Sequence, residues 1–126
     1  MGLWSCKETQ RTSDEQTKNP IIILEVHYDA EGDDNTNLND EYIVLKNIGE
    51  NEVNLKGWYV EDVSLNKYYF PDILIQPGST ITLHSGVGIN TPDHLYGGSD
   101  IEIWDNRHDT VYLYNLSRYL VDYYTW

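Results

Sequence analysis

The stretch NDEYIVLKNIGENEVNLKGWYV, Asn39 to Val60, decides the fold. Tyr42 to Lys46 alternates, with Tyr42 and Val44 on one face and Ile43 and Leu45 on the other. A Gly/Asn-rich turn at 47–51 follows, then a short bridge through Val53 and Leu55, a bend at Gly57 and a second alternating run from Trp58 to Asp62. Side chains repeating every second position, separated by turn residues, are the pattern of sheet-forming strands. Apolar residues on both faces of the first run predict a central strand with neighbours on each side. Trp58, the largest side chain of the second run, is the candidate core anchor.

Upstream, IIILEVHY (Ile21 to Tyr28) predicts another strand, its apolar start passing into alternation at Leu24, Val26 and Tyr28, with His27 facing solvent. Downstream come Lys67 to Phe70, ended by Pro71, and a Pro77-Gly78 turn. Thr80 to His84 then places Ile81 and Leu83 inward. The Gly-rich 85–99 segment is expected to be a surface loop, and Ile101 to Trp104 a strand. Thr110 to Tyr114 and Tyr119 to Tyr124 form a hairpin around Asn115-Leu116-Ser117-Arg118. No 3.6-residue apolar stripe persists for about 11 residues. The expectation is an all-β, immunoglobulin-like β-sandwich of seven to nine short antiparallel strands over residues 20–126, preceded by a flexible arm at 1–19.

Composition restricts function. With Lys+Arg 8 against Asp+Glu 21, the formal charge is −13, which repels phosphate backbones and anionic membranes and makes nucleic acid an unfavoured partner. The single cysteine, Cys6, excludes an intrachain disulfide. Leu3-Trp4-Ser5-Cys6 faintly resembles the end of a lipoprotein signal, which would tether the chain to a membrane, although Trp4 fits poorly; an ordinary free thiol is the simpler reading. The first residues are too short for a complete signal peptide, and no apolar run approaches the roughly 20 residues of a membrane helix.

Asp29 to Glu41, DAEGDDNTNLNDE, carries six carboxylates, with an oxygen-bearing side chain at every second position. Calcium takes about six to eight oxygens at about 2.4 Å, so Asp29, Glu31, Asp33, Asp34, Asn37, Asp40 and Glu41 are the candidate metal ligands. A solvated acidic loop is the alternative, since Gly32 is misplaced for an EF-hand. His27, His84, His94 and His108 lack the spacing of a zinc site. His84-Ser85-Gly86 is no nucleophile elbow, and no catalytic residue is assigned. Among 11 tyrosines, Tyr68, Tyr69, Tyr96, Tyr112, Tyr114, Tyr119, Tyr123 and Tyr124 exceed what alternating strands can bury. Rings on a rigid sheet offer a contact surface for a protein or glycan, or else pack across strands to stabilise the sheet.

The succession DEYIVLKNIGENEVNLKGWYVED, YYFPD, IQPGSTITLHSG, IWDNRHDTVYLYN and LVDYYTW resembles the lamin tail domain family in the form found outside eukaryotic nuclei, from about Ile21 to Trp126. The resemblance implies an immunoglobulin-like sandwich and a non-catalytic binding or tethering role at the cell surface or outside the cell. It also implies an alternative, an accessory domain that positions a secreted nuclease or other hydrolase. Arg107-His108 departs from the small acidic-Gly turn usual there. The chromatin association of nuclear members does not carry over, for want of a basic patch.

Overall fold

The computed structural model describes residues 20–28, 41–98 and 109–126. Among them are ten strands and no helix: β1 (Ile21–His27), β2 (Tyr42–Asn47), β3 (Val53–Asn54), β4 (Tyr59–Asp62), β5 (Lys67–Tyr69), β6 (Leu74–Ile75), β7 (Thr80–His84), β8 (His94–Tyr96), β9 (Thr110–Tyr114) and β10 (Leu120–Thr125). Eight of them form two four-stranded layers, ordered β1-β2-β7-β8 and β10-β9-β4-β5, while β3 and β6 make a small separate ladder. The predicted strand at 101–104, the arm at 1–19 and its Cys6 lie outside the described residues.

The inner faces meet in one apolar core. The first sheet contributes Ile21, Ile23, Val26, Ile43, Leu45, Ile81, Leu83 and Leu95. The second contributes Val60, Val111 and Leu113, β6 adds Ile75, and the connections add Leu55, Trp58 and Phe70. Ile43, Leu45, Leu55 and Leu113 are fully shielded, each worth about 1.5–3 kcal/mol of burial. Trp58 is buried just ahead of β4, as the sequence predicted, and β2 is central, flanked by β1 and β7.

Two features depart from simple alternation. In β1 the pairing with β2 slips between Ile23 and Glu25, so Ile23 faces Leu45 and Glu25 faces Val44. This bulge leaves Leu24 unpaired and 48% exposed, not inward as alternation predicted. It also reconciles the odd-numbered Ile21 and Ile23 with Val26, all three of which are buried. The 85–99 segment, expected to be wholly loop, contains β8, which pairs with β7 in parallel: Thr82 opposite His94, Leu83 opposite Leu95, His84 opposite Tyr96. Leu95 drives this docking, being buried in the core.

Buried polar residues hold the turns. Asn47 is wholly shielded; its Nδ2 donates to the carbonyls of Asn51 and Ile75, both at 2.9 Å, and its Oδ1 accepts from Gly49 N–H at 2.9 Å. One side chain thereby joins the β2–β3 turn to β6. Asp62, also buried, accepts from the N–H groups of Ser64 and Asn66 and from Asn66 Nδ2, which closes the β4–β5 turn with Leu65 at a φ of 69°. Gly57 has a φ of 81°, and a Cβ there would meet Leu116 Cδ1 at 2.4 Å, so the bend ahead of Trp58 requires glycine.

Candidate functional site

The outer faces of the two sheets carry different aromatic arrays. On the β10-β9-β4-β5 sheet, alternation that turns Val60, Asp62, Val111 and Leu113 inward turns Tyr59, Glu61, Tyr112 and Tyr114 outward. Registry then sets Tyr69 and Tyr114 on either side of Tyr59, and Tyr123 opposite Tyr112. The Tyr59 ring lies 4.9 Å from Tyr114 and 5.1 Å from Tyr69, and Tyr112 lies 6.4 Å from both Tyr114 and Tyr123. Five phenols thus cover one sheet face, and the outermost, Tyr69 and Tyr123, stay 58% and 59% exposed. Lys67 Nζ lies 5.8 Å from the Tyr59 ring centroid and 3.8 Å from Glu61 Oε2, so the face already holds one cation.

Burial and neighbouring acidic groups oppose ionisation within this cluster. The Tyr114 hydroxyl is held above its ordinary value first by desolvation, then by the Glu61 carboxylate and the Tyr59 and Tyr112 phenols. Tyr68 is also raised, by burial alone, because it points the other way and packs on Phe70 at the core. Of the eight tyrosines that exceed what alternating strands can bury, Tyr68 and Tyr124 are ones that pack against the core. Tyr96 belongs to the opposite sheet. Tyr59, which sequence reasoning passed over, is central to the cluster. Its outward parity next to Trp58 and Val60 was the available signal.

On the β1-β2-β7-β8 sheet a row of rings crosses the strands in register: His27, Tyr42, His84, Tyr96. His27 stacks on Tyr42 at 5.0 Å, Tyr42 meets His84 edge-on at 5.7 Å, and His84 stacks on Tyr96 at 4.8 Å. A Cβ on Gly88 would come within 2.6 Å of the Tyr96 ring, so the chain crosses close over that ring. His94 joins the row through a 2.9 Å contact between its Nδ1 and His84 Nε2.

Three N–H groups on the edge strands of this sheet are satisfied by side chains. Ile23 N–H in β1 donates to Asp122 Oδ2 of β10 at 2.8 Å. In β8, the His94 and Tyr96 N–H groups donate to Thr91 Oγ1 and Asn90 Oδ1. Edge groups satisfied in this way are less available to template another chain.

Of the candidate metal ligands, Asp29, Glu31, Asp33, Asp34, Asn37 and Asp40 lie outside the described residues. Glu41 is described; it is 1% exposed, and its carbonyl accepts from Ser85 N–H at 2.9 Å. No group of three or more His, Cys, Asp or Glu side chains converges as a metal site among the described residues. A cavity of about 40 Å3 lies between the sheets, lined by Val60, Asp62, Tyr68, Leu83, Ser85 and Val111 among others. It has room for a few water molecules. No described helix is long and apolar enough to cross a membrane.

Two facing, mainly antiparallel layers around a single apolar core, with aromatic outer faces, define an immunoglobulin-like β-sandwich. The lamin tail domain model matches residues 14–126, and the chain belongs to that family. No curated protein matches the chain. Among solved structures it is similar to the archaellum periplasmic stator protein complex FlaF and FlaG from Sulfolobus acidocaldarius, at 14% identity and a TM-score of 0.49, with 100% of each chain covered. Similarity at that level bears on neither ligand nor partner.

Proposed function

We propose that this domain is a non-catalytic binding or tethering module, working outside the cell or at its surface, that meets a protein or glycan partner through the tyrosine face of the β10-β9-β4-β5 sheet. The observation that carries this reading is the contiguous cluster Tyr59, Tyr69, Tyr112, Tyr114 and Tyr123 on a rigid sheet. Tyrosines present large amphipathic area with few rotatable bonds, so little conformational entropy is lost on contact. Their faces stack on sugar rings or on apolar and cationic side chains, while the hydroxyls keep the free surface wet. Nothing in the cluster offers a nucleophile or an acid–base pair set in a cleft. Calcium held by the acidic 29–41 segment remains part of the proposal, as a stabilising ion and not as a reactant.

The test compares the wild-type domain with a Tyr69→Ser, Tyr112→Ser, Tyr123→Ser variant. Binding is measured to a panel of defined glycans and to envelope proteins of the source cells. The reading expects a folded variant that loses the binding shown by the wild type. Equal binding by the two proteins would overturn it.

A further inference from the structure

We propose that His84 and His94 form a surface site for a divalent transition-metal ion of the copper(II) or nickel(II) type. His84 Nε2 and His94 Nδ1 are 2.9 Å apart. Their ring centroids are 5.2 Å apart, a separation made up by the nitrogen gap plus one ring radius on each side. The nearly parallel rings, 16° between planes, therefore meet end to end, not face to face. Two imidazoles so placed share one proton: one nitrogen donates and the other presents its lone pair.

That arrangement is also the precursor of a chelate. Metal–imidazole bonds of about 2.0–2.1 Å at a right angle set two ligand nitrogens about 2.9 Å apart, the spacing of tetragonal copper(II) and nickel(II) sites. A tetrahedral zinc site needs them wider. To take the ion, the donor ring moves its proton to its other nitrogen and each ring turns outward, so that both lone pairs converge. Solvent completes the coordination.

Three features make the pair a site and not a chance encounter. Parallel pairing of β7 and β8 fixes the two backbones in register. The His84 ring stacks on Tyr96 and meets Tyr42 edge-on, contacts that keep it in the row while it turns in its own plane. Both imidazoles are only partly buried, so an ion reaches them from solvent. Ten residues separate the two in sequence, which matches no familiar zinc spacing, and only the β8 docking brings them together.

The test titrates the full chain with copper(II) and nickel(II) chlorides by calorimetry and by thermal shift, with copper electron paramagnetic resonance as the structural readout. The wild type is expected to bind one ion with two coupled nitrogens and to melt higher when loaded. His84→Gln and His94→Gln are each expected to lose at least about tenfold in affinity, since one of two imidazoles is removed. His27→Gln, on the same face but away from the pair, is expected to bind as the wild type does. Circular dichroism checks that the variants stay folded, and the resonance spectrum of the unmutated chain stands apart from that question. Wild-type affinity in both His84→Gln and His94→Gln, or a copper spectrum without nitrogen coupling, would overturn the proposal.

Discussion

Asp122 Oδ2 accepts a 2.8 Å hydrogen bond from Ile23 N–H, across 99 residues of chain, and fastens the edge of one sheet to the edge of the other. Both partners sit at irregularities: the β1–β2 register slips between Ile23 and Glu25, and the β9–β10 register between Leu120 and Asp122. Further along the same seam, Tyr28 stacks on Trp126 at 4.9 Å. The first and last described strands are thus joined by a polar clamp and an aromatic one.

Asp122→Ala is expected to destabilise the domain by about 1–3 kcal/mol, because Ile23 N–H loses its acceptor at a partly buried edge. Asp122→Asn keeps a carbonyl oxygen in place and is expected to cost less. Urea unfolding measures both, as a lower midpoint at unchanged slope. An alanine variant as stable as the wild type would contradict a stabilising role for this bond.

Asn47 offers a second test, since its side chain makes three hydrogen bonds while wholly buried. Asn47→Ala is expected to lose about 2–3 kcal/mol, through two carbonyls and an N–H left unpaired. Asn47→Asp keeps the acceptor for Gly49 N–H but turns a carboxylate oxygen towards the carbonyls of Asn51 and Ile75, so it is expected to be no milder at neutral pH. Thermal unfolding of the two variants decides the point, and an aspartate variant near wild-type stability would contradict it.

Alkaline pH acts through the tyrosines. Tyr68 is raised above its ordinary value by burial, and Tyr114 by burial, then by Glu61 and the neighbouring phenols. An acid raised in the folded state contributes stability that is complete below the unfolded value, about 10, and is lost as pH rises through the folded value. The denaturation midpoint is therefore expected to hold up to about pH 10 and to fall above it. An ultraviolet titration should show a fraction of the phenols ionising late. A single transition with every tyrosine at the ordinary value would contradict this.

The sequence made the sandwich legible because its strands are short and their alternation is strict. Ile43 and Leu45, Ile81 and Leu83, Val111 and Leu113 all point inward as period two requires. Leu24 was misplaced because a bulge changes parity without changing composition. The parallel strand β8 was hidden for a different reason. Parallel pairs ordinarily need a crossover of a dozen or more residues, whereas β8 begins within ten residues of the end of β7. The His84–His94 contact depends on that pairing and was hidden with it. The tyrosine face was readable in outline, but separating Tyr68 and Tyr124 from Tyr59, Tyr69 and Tyr123 needed the register between strands.

The most direct test of the tyrosine face as the contact surface is chemical footprinting of the folded domain, free and bound to envelope protein or glycan, with tyrosine labelling read by mass spectrometry. Tyr69 and Tyr123, more than half exposed in the free domain, are expected to be labelled when free and protected when bound, with Tyr96 on the opposite sheet unchanged. Protection of Tyr96, with Tyr69 and Tyr123 labelled equally in both states, would contradict the account.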